Sequence, residues 1–489
     1  MKTNHKVITA HHMLVEKRIW TQLLLALSML IASITGCKKF VEVPVPTNKI
    51  VGTAIFTNNL SAAEAVTNMY ITLDVYLDGQ SGLNGQSGLA ADEFTNNIQG
   101  YVDLQTFYIN NLSATLNPPP YWGYFYQLIY SANVCIEGLD KSSSINPDLK
   151  QQLLGEAKFM RAFCHFYLVN LYGDVPLVTT SDYRLNNVAT RTSKEKVYTQ
   201  IIQDLKDAQV LLGNGYVDAS NAVTQDRIRP NKAAATAMLA KVYFYTGDWQ
   251  NAVTQASSVI SDSEYTLETN LGNVFLTTSK EAIWQLAPSS TSYTNTKSGY
   301  EFALTAAPDY SHPLSLNTVL ISSFEPLDAR SSTWVKSINI GGVTYFYPFK
   351  YNISALQQPT SQYFMILRLA EQYLIRAEAE AELGGNANLI SAAADVNKIR
   401  SRAGLAPTLA VTQVSLLDAI RHERQVELFT ELGDRWLDLK RSGIINSVMG
   451  SPWNECQQKG GTWSPEKALF PIPSSELLTN PNLTQNPGY

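Results

Sequence analysis

Charged side chains are scarce in this sequence. Asp, Glu, Lys and Arg make up 16% of its 489 residues, below the ~25% usual for soluble domains. The net charge is only −5, and no stretch of basic residues occurs. A nucleic-acid-binding protein carries a basic patch that attracts phosphates. The sequence therefore excludes nucleic acid as the expected partner.

Histidine and cysteine are scarce too, with six and four residues. No CxxC pair occurs, and the histidines lack the spacing of metal ligands. We therefore expect no metal site and no cofactor. Cys135, Cys164 and Cys456 allow at most one disulfide, and buried free thiols are the favoured interpretation.

Aromatic residues, by contrast, reach 10% of the chain and include 25 tyrosines. Aromatic rings with few charges around them suit a surface that binds neutral polar ligands. A chain of this length can also bury a large core.

The N-terminus has the features of a secretory signal. Lys17 and Arg18 precede an apolar run, residues 19–34, which ends at Gly36 and Cys37. This order predicts a signal peptide over residues 1–36. The run is shorter than the ~20 residues that a membrane-spanning anchor, the alternative, requires. The cysteine after Gly36 resembles a bacterial lipobox, so we predict lipidation at Cys37. Residues 37–50 then form a lipid-anchored tether.

Residues 362–443 contain three helical segments with short connections. In the first, Ile366, Ala370 and Tyr373 recur at steps of three and four, which places them on one helix face. Gly384 and Gly385 supply the stop, because glycine can adopt the left-handed conformation that ends a helix. Residues 414–443 read as one further helical segment.

A helix-turn-helix pattern recurs through the chain. In residues 231–260, a small residue, an aromatic, a glycine turn, an aromatic and a small residue follow the tetratricopeptide pattern: Ala240, Tyr243, Gly247, Trp249 and Ala252. Residues 362–402 repeat it, and residues 151–212 form a weaker version. The predicted fold is mainly α, with tetratricopeptide-like helix pairs as a scaffold, small β elements and a loop-rich irregular insertion.

Three local features lie outside those pairs. Residues 265–359 lack a helical period and contain strand-like runs at Ala282–Leu286 and 343–349, and such an insertion commonly carries the binding function. Residues 79–89 contain four glycines and predict a flexible loop. Ser61, three residues before Glu64, predicts a helix N-cap.

Five separated motifs stand out in this sequence. They are residues 155–178 (GEAKFMRAFCHFYLVNLYGDVPLV), 366–380 (ILRLAEQYLIRAEAE), 399–405 (IRSRAGL), 423–443 (ERQVELFTELGDRWLDLKRSG) and 469–489 (LFPIPSSELLTNPNLTQNPGY). Together they resemble the SusD/RagB family of nutrient-uptake lipoproteins of the Bacteroidetes outer membrane. The resemblance extends from Cys37 to Tyr489. The terminal QNPGY after FPIP is its most diagnostic part.

The resemblance implies a function and a location. Members of the family bind oligosaccharides, or peptides in some branches, and pass them to a SusC-like TonB-dependent outer-membrane transporter. The implied protein is lipid-anchored in the outer membrane and faces the cell exterior. It would be a glycan-binding protein; the alternatives are a peptide- or glycopeptide-binding lipoprotein and a structural lid without ligand binding of its own.

The resemblance also divides the chain. Residues 51–489 would form a SusD-like domain. Its N-terminal part would run over residues 51–264, the ligand-binding insertion over 265–359, and the C-terminal helical part and tail over 360–489.

An enzyme is not expected. Glu423, Glu427 and Glu431 form the densest acidic cluster and could be taken for a glycosidase acid/base pair. They fall on one helical face, however, with Arg424 and Arg435 near enough to neutralise them. Glu431 and Arg435 also have the favourable i,i+4 spacing. A packing ion network is therefore the favoured interpretation.

Candidate ligand-binding residues come from two regions that mix aromatic rings with amides. Rings pack on the CH faces of sugars, and amides hydrogen-bond their hydroxyls. One region supplies Asn96, Asn97, Gln99 and Tyr101, and the insertion supplies Trp284, Tyr293, Tyr300 and Tyr310. For Trp284, which lies inside the apolar run AIWQL, core packing is the favoured alternative.

Overall fold

The structure is a computed structural model that describes residues 55–289 and 292–489. The predicted signal peptide, Cys37 and the tether lie outside the described residues. Gly52–Tyr489 clusters as one compact unit, which holds the main hydrophobic core.

Helices dominate the described chain, which confirms the predicted fold class. They are α1 (Asn59–Leu77), α2 (Leu83–Ala90), α3 (Val102–Tyr108), α4 (Tyr121–Lys141), α5 (Pro147–Tyr172), α6 (Tyr183–Asn186), α7 (Lys194–Leu211), α8 (Lys232–Thr246), α9 (Trp249–Ile260), α10 (Lys297–Phe302), α11 (Thr318–Ser323), α12 (Ala329–Thr333), α13 (Leu369–Leu383), α14 (Asn386–Arg402), α15 (Gln413–Glu427), α16 (Asp434–Arg441), α17 (Ile445–Met449), α18 (Glu455–Gln458) and α19 (Ser474–Thr479).

The strands form small antiparallel pairs. β1 (Phe94–Asn96) pairs with β5 (Leu314–Leu316), β2 (Tyr216–Val217) with β3 (Val223–Thr224), β4 (Ala282–Leu286) with β8 (Phe364–Arg368), and β6 (Val335–Ile340) with β7 (Val343–Pro348).

The long helices pack side by side as an array: α4 on α5, α5 on α7, α7 on α8, α8 on α9, α9 on α13 and α13 on α14. The predicted turn between α8 and α9 is present. Gly247 adopts φ 74°, and Asp248 accepts a hydrogen bond from the amide of Asn251. Gly384, with φ 67°, ends α13 as expected. Many alanines in α8 and α13 are fully buried, because small side chains let helices approach closely.

The strand pair β4–β8 joins the insertion to the helical array. Ala282 lies opposite Arg368, the residue that immediately precedes α13. Every residue of both strands is buried. The chain between the two strands therefore leaves the array and returns to it at one place. The predicted strand-like run 282–286 is confirmed, and the run 343–349 is observed as β7.

The glycine-rich segment is not the flexible loop that its composition predicts. Leu83–Ala90 is a helix, and all of its residues are buried. A Cβ on Gly85 would lie 2.4 Å from the carbonyl oxygen of Gln80, and one on Gly88 would lie 2.8 Å from the ring of Phe94. The glycines thus serve close packing of this helix rather than mobility.

Three predicted helices also differ in their bounds. The helix predicted from residue 362 begins only at Leu369, because Phe364–Arg368, which includes Ile366, pairs with β4 as strand β8. The cap of α1 is Asn58, whose side chain accepts a hydrogen bond from the amide of Ser61, so Ser61 lies inside the first turn. Residues 414–443 form two helices, not one. The chain turns between α15 and α16 through Thr430, Leu432 and Gly433, which all have positive φ.

Cys135, Cys164 and Cys456 are free and buried, as the favoured interpretation predicted. Burial raises the pKa of the Cys135 thiol to about 12. These thiols pack as small apolar side chains.

Candidate functional site

The pairing of β1 with β5 brings the two predicted binding regions together. Thr95 lies opposite Ser315 in this register. The Asn97 amide nitrogen donates to the Pro313 carbonyl oxygen and to the Ser315 hydroxyl, both at 3.0 Å. Asn97 therefore fastens one loop to the other. Its side-chain donors are already used within the protein.

Asn96 has a similar structural role. Its side-chain nitrogen donates to Gln105 Oε1 at 2.7 Å, and its oxygen accepts from the amide of Ile98 at 3.1 Å. Asn96 is 5% exposed. These bonds fix the turn that leads into α3, which places Tyr101 at the start of that helix.

Tyr101 and Tyr310 form the first ring pair of the site. Their centroids lie 6.2 Å apart. Tyr101 is half-buried, whereas Tyr310 is 65% exposed. A Cβ on Gly100 would lie 2.5 Å from the Tyr310 hydroxyl, so the Tyr310 side chain approaches the backbone of the other loop closely. Gln99, next to Gly100, is exposed.

A second ring group continues from Tyr310 along the same loop. Tyr300, on α10, lies 5.6 Å from Tyr293 and 5.6 Å from His312, measured between ring centroids. All of these rings are half-buried. Asp309 Oδ1 accepts hydrogen bonds from the amides of Ser311 at 2.8 Å and His312 at 2.9 Å. The short 309–312 turn thus links the two ring groups.

Buried carboxyl groups support this surface. Asp78 accepts hydrogen bonds from the amides of Lys297 and Ser298 at the start of α10. Glu301, on the same helix, accepts one from the amide of Gln80 at 2.7 Å. Burial raises the pKa of Glu301 to about 7, since the nearby donors do not offset the lost hydration. These bonds hold the tyrosine-bearing helix against the α1–α2 connection.

The structure therefore gathers four of the predicted aromatic residues into one surface: Tyr101, Tyr293, Tyr300 and Tyr310. We call these rings, with His312, the tyrosine surface. Trp284 is not part of it. The Trp284 ring has no exposed area, packs edge-on against Phe159 and Phe163, and donates its indole N–H to the carbonyl of Ile228. It belongs to the core, the favoured alternative.

Sequence analysis did not single out Gly100, Asp309 or His312. The position of Gly100 beside the Tyr310 side chain is visible only in the folded structure. The run DYSH, residues 309–312, does carry a recognisable local pattern, because an aspartate commonly caps the amides that follow it. The contact of His312 with Tyr300 depends on the tertiary fold.

The acidic cluster of the C-terminal helices is a buried ion network. Arg368 contacts Glu281 at 2.9 Å, Glu427 at 2.7 Å and Glu431 at 2.7 Å. Arg330 contacts Glu423 at 2.6 Å and Glu427 at 3.0 Å. Burial alone would raise the pKa of Glu427, but Arg402, Arg368 and Arg330 together hold it well below its usual range.

The predicted partners within this network were wrong. Arg424 pairs with Asp438, and Arg435 pairs with Asp92 across 343 residues of sequence. Glu431 and Arg435 do not form an i,i+4 pair, because the turn between α15 and α16 separates them. The carboxylates of Glu423 and Glu427 have no exposed side-chain area, which makes them unsuitable as a glycosidase pair.

The structure describes residues 55–289 and 292–489. Among them, no three His, Cys, Asp or Glu side chains come together as a metal-binding group. None of the helices in that part of the chain has the length and apolar character to cross a bilayer.

A separate cavity of about 240 Å³ lies between α4, α6 and α19. Its lining includes Tyr126, Tyr130, Tyr183 and Glu476. Tyr183 is 67% exposed. None of the tyrosine-surface rings lines this cavity.

Two family models match the chain. The model described as "SusD family" matches residues 322–489, and the model described as "Starch-binding associating with outer membrane" matches residues 54–244. The matched ranges contain the N-terminal and C-terminal parts of the helical array.

A relative and two solved structures cover nearly the whole chain. SusD-like protein P25 of Formosa agariphila is 26% identical, with 94% of this chain and 98% of that protein covered. A SusD superfamily protein from Bacteroides vulgatus superposes with a TM-score of 0.75 at 23% identity, covering 88% of this chain and 99% of that one. A structure described as a laminarin-binding SusD-like protein gives a TM-score of 0.74 at 24% identity, covering 89% and 100%. The two solved structures show that the chain shares their fold, and the two family models together with the relative show that it belongs to the SusD/RagB family.

Proposed function

We propose that this protein captures oligosaccharides at the cell surface and delivers them to a SusC-like TonB-dependent outer-membrane transporter. In this proposal the protein binds its ligand without chemical conversion. The tyrosine surface is the capture site.

The observation that carries the proposal is the gathering of Tyr101, Tyr293, Tyr300 and Tyr310 from separate loops into one partly exposed surface. Rings spread along a surface can pack on successive sugar units. Tyr310 is the most exposed of these four rings, because 65% of its surface is accessible to solvent. An exposed aromatic ring that already packs against a neighbouring ring, as Tyr310 does against Tyr101, loses less conformational freedom when a ligand binds.

The polar groups beside the rings favour a neutral ligand. Gln99 offers an exposed amide. Asp309 is committed to the amides of Ser311 and His312, and hydrogen bonding to the His312 amide lowers the pKa of its carboxyl. This exposed carboxylate would repel an anionic peptide. Asn96 and Asn97 position the rings, whereas Gln99 and the tyrosines contact the ligand.

The membrane part of the proposal rests on the N-terminal sequence and on the family. Lipidation of Cys37 would anchor the protein in the outer membrane while residues 51–489 stay in water. The matching model's description, starch binding in association with the outer membrane, supports this location. The name of the laminarin-binding neighbour supports a glycan as the ligand class.

The test is a binding screen of the purified full-length protein, in detergent, against laminarin, starch, other neutral polysaccharides and peptides. Calorimetry would follow on each hit, with Tyr310→Ala beside the wild type. We expect binding to a neutral glycan and a loss of about tenfold in Tyr310→Ala, which corresponds to about 1.4 kcal/mol.

Tyr183→Ala is the matched control, because Tyr183 is 67% exposed but lies in the other cavity. The control should bind as the wild type does. Loss of binding in Tyr183→Ala but not in Tyr310→Ala would reject the tyrosine surface as the capture site. Binding to peptides alone would replace the glycan with a peptide ligand. If the protein binds none of the probes, a structural lid without ligand binding of its own would be favoured.

A further inference from the structure

A second pocket, of about 470 Å³, lies at the C-terminal end of the chain. It is formed by α17, α18 and the loop that follows them, and its lining includes Asn446, Ser451, Asn454, Gln457 and Trp463. None of these residues belongs to the tyrosine surface. The volume falls within the range of ~300–1,000 Å³ that small-molecule sites occupy.

The pocket is lined by neutral groups. No Asp, Glu, Lys or Arg is among its lining residues. The side chains of Asn454 and Gln457 make no hydrogen bond within the described residues, although both are polar amides. One cation approaches the lining, Lys467, which donates to the Thr462 carbonyl oxygen at 2.5 Å. Unused amides that face a pocket can accept and donate hydrogen bonds to hydroxyl groups.

The charged residues of this loop are turned into the protein. Glu455 accepts a hydrogen bond from the side chain of Asn317 at 2.8 Å. Lys459 is 6% exposed and donates to the carbonyl oxygen of Leu89 at 2.8 Å. Burial lowers the pKa of Lys459 to about 8. These inward contacts fix the loop and leave its neutral side chains on the pocket.

The indole of Trp463 provides the pocket with a fixed ring. It lies 6.1 Å from the buried ring of Trp436 and donates its N–H to Asn446 Oδ1 at 3.0 Å. A Cβ on Gly450 would lie 2.9 Å from this indole. The ring is therefore held in one place by the core on one side and by glycine on the other.

A second tryptophan of the loop is unusually open. Trp453 is 70% exposed. Tryptophan is usually well buried, and this exposed indole directly precedes Asn454, a residue of the pocket lining.

We propose that this pocket is a second saccharide-binding site, separate from the tyrosine surface. Its ligand class is a neutral sugar of one or two units, with one ring packed on the Trp463 indole and its hydroxyls bonded to Asn454 and Gln457. The two sites share no residue, so each can be tested without the other.

The test uses tryptophan fluorescence, because the tyrosine surface contains no tryptophan. Full-length protein carrying Tyr310→Ala would be titrated with methyl β-glucoside, methyl α-mannoside, methyl β-galactoside and methyl β-xyloside at millimolar concentrations. Protection of tryptophan from acrylamide quenching is the readout. We expect at least one neutral glycoside to protect, and glucuronate and lysine to protect far less.

Gln457→Ala should weaken the apparent affinity about fivefold, because it removes one amide contact. Gln457 is exposed, so its replacement should leave the melting temperature unchanged. Gln250→Ala, at an exposed glutamine of α9 outside the pocket, is the matched control. At position 463 the variant is Trp463→Phe, which keeps a ring but removes the N–H. Trp463→Ala is not used, because loss of the ring would disturb the loop.

The inference is overturned if no neutral glycoside protects, if charged probes protect equally well, or if Gln457→Ala binds as Gln250→Ala does. The outcomes also separate this proposal from the first one. Protection that survives Tyr310→Ala but is lost in Gln457→Ala supports the second pocket alone. Glycan binding that is lost in Tyr310→Ala but unchanged in Gln457→Ala supports the tyrosine surface alone.

Discussion

The C-terminal ion network and the tyrosine surface are both rich in polar groups, but their surroundings differ. Around Arg368, each carboxylate is buried and paired with at least one cation. Around Tyr310, the groups are mostly neutral rings and amides that are partly exposed, and the one carboxylate of the turn, Asp309, is also exposed and bonded to backbone amides. The chain has few charges, and many of them lie where the helices and the insertion meet, whereas the tyrosine surface consists of partly exposed rings.

This difference has an energetic meaning. A buried charge without its partner is costly, so each member of the network depends on the others. A ring on the surface can be replaced at little cost to folding. Variation in the scaffold should therefore change stability, and variation in the tyrosine surface should change binding.

The largest effect is expected from Arg368→Met. It leaves Glu281, Glu427 and Glu431 buried with one cation fewer, so we expect the free energy of unfolding to fall by about 3–5 kcal/mol. Urea unfolding followed by circular dichroism measures it. Arg184→Met is the control, since its ion pair with Asp182 is exposed, and it should unfold as the wild type does. An equal change in both variants would contradict the comparison.

The next effect concerns Glu93, which lies between the two regions. Its backbone carbonyl accepts a hydrogen bond from the amide of Asn317, and its carboxyl accepts one from the amide of Thr430. Burial raises the pKa of Glu93 from 4.5 to about 8. At a pH between 4.5 and about 8, Glu93 keeps its proton in the folded protein but loses it in the unfolded chain. The free energy of unfolding therefore falls as the pH rises through this range.

We expect Glu93 to contribute on the order of 2 kcal/mol to that loss between pH 5 and 8. Glu93→Gln, which remains neutral, should flatten the dependence of unfolding free energy on pH. Glu64→Gln, at an exposed position, should leave the dependence as it is. A wild-type protein equally stable at both pH values would contradict the prediction.

The third effect should appear in binding only. Tyr300→Ala removes the ring that contacts both Tyr293 and His312, so we expect about a tenfold loss of glycan affinity, or about 1.4 kcal/mol. Tyr300→Phe keeps the ring and should retain most of the affinity. Calorimetry measures both. If the two variants bind equally weakly, the hydroxyl rather than the ring is the important group.

The smallest effect separates contact from positioning. Gln99→Ala should weaken binding two- to fivefold, about 0.5–1 kcal/mol, without lowering the melting temperature. Asn97→Ala should lower the melting temperature as well, because it removes the bonds to Pro313 and Ser315. A change of affinity in Gln99→Ala accompanied by an equal loss of stability would show that Gln99 is structural too.

The helical array could be predicted because its evidence is local. Spacing of Ala240, Tyr243 and Gly247 specifies a helix and its turn within a few residues. The ion partners could not be predicted, since Arg368 and Arg402 approach Glu427 only after the helices pack. The break after α15 was missed because Thr430 and Leu432 adopt positive φ, which their residue types do not announce.

The binding region shows the same limit. Composition indicated Tyr101, Tyr300 and Tyr310 individually, because each lies among polar loop residues. Their meeting depends on the β1–β5 pairing, which joins segments more than 200 residues apart. The glycines of residues 79–89 predicted mobility, and this prediction was wrong. Glycine is found both in flexible loops and where a helix packs closely against its neighbours, so its presence alone does not distinguish the two.

The bonds that hold the α2–β1 region have a consequence for biosynthesis. Asp92 is bonded to Arg435, Glu93 to Thr430, and the Leu89 carbonyl to Lys459, across 343, 337 and 370 residues. Because the ribosome synthesises the chain from its N-terminus, these contacts form only when the C-terminal residues are available. The tyrosine surface beside them can therefore acquire its shape only after nearly the whole polypeptide has been synthesised, and a prematurely terminated product would lack it.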